Sequence, residues 1–407
     1  MTHPATVAQS DRDSRREAAS VELEFSGRTG EYFQIWLVNL ALSLASCGAY
    51  MPWARVRTRR YFLSQTRIKA SGFDYQANPW ALFVGWLVIG VGLTLLSNSS
   101  DLLAMGLASA TKFLLKNLGS FSKLEGLVEP MVSLGVGIAF LLLQVLVLSW
   151  LVMQSLRYNA SKTSYRNLRF GFGSSEARFR LWRETVFLLG LRLLVPLSLG
   201  LLQPYVAWRW RRFLIRHRRF GTTPFAFTAT PADFLRLHGR AFPLLLPAIA
   251  TLALSGALLI MAIIKFRQFS VAPVAGEPLV STWAILPLLA LTSLPLLLLW
   301  SCWLEARAAS LTWRCTQLGE LRFACTWRAR ELLGMRLLHG LVLVASLGLA
   351  WPWVRIRETR YRLQRISLSP GLALDGFLAA EEERISALAE GGFAEADAMD
   401  GLFDISF

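Results

Sequence analysis

The stretch Pro52-Trp53-Ala54-Arg55-Val56-Arg57-Thr58-Arg59-Arg60-Tyr61 has two echoes further along the chain. Shifted by 152 positions the sequence reads Pro204-Tyr205-Val206-Ala207-Trp208-Arg209-Trp210-Arg211-Arg212-Phe213. Shifted by 300 it reads Pro352-Trp353-Val354-Arg355-Ile356-Arg357-Glu358-Thr359-Arg360-Tyr361. Proline, aromatic, spaced arginines and a closing aromatic recur in register, the signature of an internal repeat.

The likeness spreads outward from these stripes. Phe73-Asp74-Tyr75 falls on Phe225-Ala226-Phe227 at the same shift of 152, and each precedes a long apolar run. Upstream, Leu23-Glu24-Phe25, Leu168-Arg169-Phe170 and Leu321-Arg322-Phe323 each precede a shorter one. Glu31, Glu184 and Glu331 stand 20 or 21 residues before the three prolines. The chain therefore divides into unit one (21–167), unit two (168–320) and a truncated unit three (321–370). A disordered cytoplasmic N-terminus is expected over 1–20 and an acidic tail over 371–407. Each full unit reads as an extended Leu-x-Phe segment, a short apolar helix (helix a), the stripe, and two longer helices.

The solvent of these helices is lipid. The 407 residues are 54% hydrophobic and 17% charged, and mean hydropathy is +0.42, above the range of water-soluble domains. The excess is gathered into runs near the roughly 20 residues a span needs: Pro79 to Ser97, Met131 to Met153, Phe242 to Ile264 and Trp283 to Trp303. Met1 to Ser20 has no apolar core, so it does not read as a signal peptide. Cys47, Cys302, Cys315 and Cys325 show no C-x-x-C spacing, which suggests free thiols without zinc. The expected fold is an all-α polytopic integral membrane protein, with short extended or β segments at the cytoplasmic membrane surface. Alternating apolar and charged residues make the stripes candidates for those segments; a turn of solvated helix is the alternative.

Charge fixes the sides. The net charge is +16, but residues 371–407 carry nine acidic residues against Arg384 alone, which leaves +24 elsewhere. Seven crossings would put the equivalent stripes of units one and two on opposite faces, against the positive-inside rule. If each helix a instead enters and leaves on the cytoplasmic side, the conflict disappears. Four spans remain, both termini are cytoplasmic, and the only external loops are Asn98 to Pro130 and Lys265 to Pro278, so that 38 of 43 basic residues are non-external. A dual-topology repeat is the rival. Within the first loop, Leu102 to Leu127 reads as an external amphipathic helix on the membrane.

At Gly27, Glu31-Tyr32-Phe33, Trp36, Asn39, Gly48, Tyr50, Pro52 to Arg57 and Arg59-Arg60-Tyr61, the sequence resembles the bacterial YjgN-like inner-membrane family, over Val21 to about Ser369. The resemblance implies a multi-pass protein of the bacterial inner membrane. That family has no assigned activity, so it supplies no catalytic residue.

Two sets of residues are candidates for function. Eight positions beyond each repeat glutamate stand Asn39, Arg192 and His339, polar side chains within helix a, and intramembrane polar groups are functional hypotheses by default. If the three segments meet, they form a polar cluster for an anionic solute; the alternative is that each snorkels at the interface. The stripes place Trp53, Arg55, Arg57, Arg59, Arg60, Arg209, Arg211, Arg212, Arg355 and Arg357 where guanidinium forks and amphipathic rings meet phosphate headgroups; the alternative is a pure topology signal. The expected partners are membrane lipids, anionic ones above all, and a second copy of the chain is compatible; nucleic acid is not expected. No Walker loop, H-E-x-x-H, G-x-S-x-G or paired intramembrane carboxylate is present, so neither enzyme activity nor a cofactor or metal is expected. The function expected is transport of a small solute through the repeat bundle, or else a non-catalytic scaffold binding anionic lipid. The acidic tail is either solvated and disordered or folded back on the stripes. Single cysteines at Thr58, Ser161, Gly221 and Ser369, in a cysteine-free chain, should all label from the cytoplasm only; opposite labelling at Thr58 and Gly221 would mean inverted repeats.

Overall fold

The computed structural model describes residues 20–117, 125–174, 177–269, 279–369 and 373–390. The segments expected to be disordered at 1–19 and 391–407, and the loop centres 118–124 and 270–278, lie outside them. Unit one runs β1 (Val21–Phe25), α1 (Thr29–Ala45), α2 (Met51–Ser64), β2 (Thr66–Ile68), β3 (Ser71–Tyr75), α3 (Pro79–Asn117), α4 (Glu125–Ser161) and β4 (Thr163–Tyr165). Unit two repeats that order: β5 (Leu168–Phe172), α5 (Arg178–Leu197), α6 (Gln203–Arg216), β6 (Arg218–Phe220), β7 (Thr223–Phe227), α7 (Pro231–Phe269), α8 (Leu279–Arg314) and β8 (Thr316–Leu318). Unit three has β9 (Leu321–Cys325), α9 (Ala329–Ala345), α10 (Trp351–Gln364) and β10 (Ile366–Ser369), after which α11 (Ala373–Glu390) follows.

The expectation of an all-α protein with isolated surface β segments is overturned. The strands pair in the order β1-β10-β9-β8-β7-β6-β5-β4-β3-β2 and close into a ten-strand barrel. The Leu-x-Phe segments are indeed strands (β1, β5 and β9), but each pairs on both sides. Closure explains why strands of three to five residues suffice: every strand has two neighbours and no open edge is left to protect. Burial alternates along them as a two-sided sheet requires, with Thr66 and Ile68 buried around an exposed Arg67, and Ile366 and Leu368 around Ser367. The stripes, in contrast, are helical, as α2, α6 and α10. Proline in the first turn of each presets the helical φ where no donor is needed.

The chain packs as two compact bodies. One holds Ser26–Val206, Phe213–Phe225 and the helix α11; the other holds β1, Ala207–Arg212 and Ala226–Ala373. In the first, β2 to β7 form a continuous antiparallel ladder in sequence order. In the second, β8, β9, β10 and β1 do the same. Sequential antiparallel neighbours force connections to alternate between the two ends of a ladder. In the first body the α3–α4 and α5–α6 pairs lie at one end, and the turns Lys69-Ala70, Arg166-Asn167 and Gly221-Thr222 at the other. In the second, α9–α10 lies at the end opposite the turn Gly319-Glu320. Those two-residue turns use positive φ at Lys69, Arg166, Asn167, Gly221 and Gly319, the geometry that matches strand twist. A short helical hairpin therefore leaves its ladder and rejoins it at the same end.

Among the described residues, three of the long helices have the length and apolar character of spans. Pro79–Leu114, Pro130–Ser161 and Pro231–Met261 are long and apolar enough to cross, with at most 11% of their most apolar windows buried. Faces so little covered by protein are made for lipid. α3 is N-capped by Asn78, whose Oδ1 accepts the Trp80 amide at 3.0 Å, and α7 opens on a reciprocal Thr230/Asp233 pair. The separate amphipathic helix expected over Leu102 to Leu127 does not form as such: α3 continues unbroken to Asn117, because no proline interrupts it. Its 39 residues span about 58 Å at 1.5 Å per residue, so it projects beyond a core of roughly 30 Å.

Gly221 proves a poor labelling site, since its φ is +59° and a Cβ there would lie 2.6 Å from the Glu381 side chain. Cysteines at Ala70, Asn167 and Glu320, in three other turns, should label from the same aqueous side as Thr58. Cysteines at Leu199 and Leu347, the tips of α5–α6 and α9–α10, should react only after detergent is added. Tip labelling from the opposite aqueous side would show that the short hairpins cross.

Candidate functional site: the short arginine hairpins

Each short hairpin turns over in the same way. Helix α1 ends in Ser46-Cys47-Gly48, with Cys47 at φ +50° and Gly48 at φ +91°; Leu199 and Gly200, and Leu347 and Gly348, repeat those angles within a few degrees. The Gly48, Gly200 and Gly348 amides donate to the carbonyls of Ser43, Val195 and Leu343 at 2.7, 2.9 and 2.8 Å, as in a Schellman cap. The Ser46, Ser198 and Ser346 hydroxyls then accept the amides of Tyr50, Leu202 and Ala350 at 3.0, 3.2 and 3.1 Å. Backbone donors at the tip are thus met internally, which a segment in hydrocarbon must achieve. The tips are also apolar and bare: Leu199 is 94% exposed and Leu347 92%. These serines recur at equivalent positions, a signal available in the sequence that the stripes overshadowed.

The base of each hairpin is locked. The Tyr61 hydroxyl accepts the Arg28 amide at 2.9 Å and donates to the Arg28 carbonyl at 3.0 Å, with Glu31 at 3.2 Å. Tyr361 repeats the pair on Arg328 at 3.1 and 3.3 Å. Burial pushes both phenols above their ordinary range, so they remain neutral donors at physiological pH. In unit two, where Phe213 replaces the tyrosine, Glu184 reaches His217 at 3.7 Å instead, while Glu331 pairs with Arg365 at 2.6 Å. The repeat glutamates are therefore clamps of their own hairpins.

Between tip and base lie the stripe arginines. In α2, Pro52 and Val56 are buried while Arg55, Arg57, Arg59 and Arg60 face outward. The Arg59 guanidinium bonds the Tyr75 hydroxyl at 3.4 Å and also Asn159, and Arg60 Nε donates to the Tyr75 carbonyl at 3.3 Å. Arg355 and Arg357 stand 6.0 and 5.1 Å over the rings of Trp351 and Trp353, and Arg211 and Arg212 stand 5.2 and 5.1 Å over Phe234 and Trp208. Trp208 is itself fixed by an indole bond to the Ala229 carbonyl at 2.8 Å. Arg209 is half-buried. Trp53 stacks on Tyr50 and meets Trp80 and Phe83 at 5.3 Å. Arg57 lies six residues beyond Met51, about 9 Å along the helix axis.

Asn39 and His339 occupy the same place in α1 and α9, and each packs on its own hairpin partner. Asn39 Nδ2 lies 3.5 Å from the Ala54 carbonyl and from Thr58 Oγ1, and His339 meets the Trp353 ring edge-on at 5.4 Å. Both are about 95% buried, with Asn39 Oδ1 and His339 Nε2 left without hydrogen-bond partners. Arg192 is exposed on α5. Sequence reasoning missed a charge cluster in which Glu305 of α8 binds Arg336 of α9 and Arg362 of α10, the latter at 2.9 Å, and Glu358 binds Arg362 at 2.5 Å. It gives the Arg336 guanidinium of α9 a carboxylate partner on α8.

The chain is 28% identical over 156 residues to the inner membrane protein YjgN of Salmonella typhimurium, and 26% identical over 166 residues to that of Escherichia coli K12. The matches cover 38% and 40% of this chain, and only about a third of either relative's length (32% and 33%). No solved structure matches. With the apolar spans, these likenesses make the protein a multi-pass protein of the inner membrane. The model of the family described as "Bacterial protein of unknown function (DUF898)" matches residues 20–395, through α11 as well as the repeats, and the chain belongs to that family.

Proposed function

We propose that the protein is a non-catalytic, lipid-interacting protein of the inner membrane, whose short hairpins dip into the cytoplasmic leaflet and hold anionic phospholipid headgroups with their arginines. The observation that carries this reading is the placement of exposed Arg55, Arg57, Arg355 and Arg357 within two helical turns of a bare apolar tip. Guanidinium groups backed by indole rings suit phosphate at the headgroup boundary. In this reading both termini are cytoplasmic. Nucleic acid is not a ligand, because the arginines are at the bilayer.

Titration of phosphatidylglycerol into the detergent-purified protein tests this. Arg57→Gln and Arg357→Gln should each weaken binding about fivefold, from roughly 1 kcal/mol per basic residue near an anionic surface. Phosphatidylcholine should bind weakly throughout. A folded double variant that binds phosphatidylglycerol like the unaltered chain would dismiss the reading.

Transport of a small anionic solute is the second reading, favoured by the unpartnered buried atoms of Asn39 and His339 and by the repeat. Solute flux into proteoliposomes should then fall in Asn39→Leu and His339→Leu variants that fold normally, while lipid affinity is unchanged. Equal flux in both variants would remove it.

A further inference from the structure

Of the acidic tail, the described part is helix α11. It lies against the turns at the end of the first body's ladder that is away from the helical hairpins. Glu381 is fully buried although it is charged, and residues of that kind are almost never buried unless paired. Its Oε1 accepts the Thr222 amide, the Thr222 hydroxyl at 2.5 Å and the Thr223 amide at 3.0 Å; its Oε2 accepts the Thr223 hydroxyl at 2.9 Å and lies 3.5 Å from Arg384. Two successive amides after a positive-φ glycine form the concave donor set that binds oxyanions. Two turns away along α11, Asp375 accepts from Lys69 at 2.6 Å and Arg166 at 2.9 Å. Phe377 stacks on Phe220 between the two anchors.

We infer that the Gly221-Thr222-Thr223 turn is an oxyanion-binding site, occupied here by the protein's own Glu381 as an internal ligand, and that it takes a phosphate group when α11 lifts away. Three observations support it. The repeat-equivalent turn of unit one reads Lys69-Ala70-Ser71, so paired threonines stand where Glu381 is received. Gly221 leaves no room for a Cβ against that side chain. Burial pushes the Glu381 carboxyl up, yet the Thr222 and Thr223 hydrogen bonds outweigh it and hold the carboxyl below its usual range; the turn prefers an anion even out of water. The hold on α11 is limited, since among its described side chains only Leu374, Leu378 and Glu381 are buried and its outer face, with Glu382 and Glu383, is open.

The test uses the full chain in lipid-free detergent, with inorganic phosphate as the probe and chloride at equal ionic strength as the control. Hydrogen exchange over Leu374 to Ala387 should quicken in phosphate and not in chloride. Glu381→Ala should raise phosphate affinity by about tenfold or more, the scale of hydrogen bonds to a charged group freed from competition. Adding Thr222→Val and Thr223→Val should abolish the gain. Gly221→Ala, which keeps every threonine donor, should also quicken exchange in α11 and serves if Glu381→Ala misfolds. Exchange in α11 that ignores phosphate, or phosphate bound equally after the threonines are replaced, would overturn the inference.

Discussion

Strand order is the constraint on which the rest of this protein depends. Where hydrogen-bonded neighbours are consecutive and antiparallel, whatever joins them must leave and return at alternating ends of the ladder. All tight turns of a ladder then collect at one end and all helical hairpins at the other. Long hairpins and short ones alike leave a ladder and rejoin it at the same end.

Lipid imposes the second set of requirements, and the short hairpins meet them locally. A chain reversal exposes backbone donors, which in hydrocarbon cost several kcal/mol each if left unpaired. The glycine at positive φ, the serine hydroxyl behind it and the proline ahead remove most of those donors from view at Gly48, Gly200 and Gly348 alike. Leucines can then occupy the tip without a protein core to bury them. Below the tip the rings hold the arginine stems in place, and below those the Tyr61 and Tyr361 hydroxyls close the base on Arg28 and Arg328.

Repetition supplies the frame, and divergence within it supplies the chemistry. Lys69-Ala70 and Gly221-Thr222 are equivalent turns, yet one offers an ammonium group to Asp375 and the other amides and hydroxyls to Glu381. Tyr61 and Tyr361 lock their hairpins by hydroxyl bonds, whereas Phe213 leaves that task to Glu184 and His217. In unit three the hairpin residues Arg336, Glu358 and Arg362 form a half-buried charge cluster with Glu305 of α8 in unit two.

Much was legible in the sequence because it is written in local or periodic signals. The repeat, the apolar spans and the strand character of the Leu-x-Phe segments follow from register and hydropathy, neither of which needs a partner to be read. The barrel did not follow, because Thr66-Arg67-Ile68 or Thr163-Ser164-Tyr165 offers a single alternation, too little to separate strand from coil. Such strands hold only because neighbours far along the chain complete them. The stripes misled for the same reason: alternation of arginine with apolar residues fits a strand, whereas in the structure they are helices that bury one face, Pro52 and Val56 or Pro352, Val354 and Ile356. The site on Glu381 was likewise invisible, since a carboxylate in an acidic tail and two threonines 158 and 159 residues away acquire meaning only when tertiary structure buries them together.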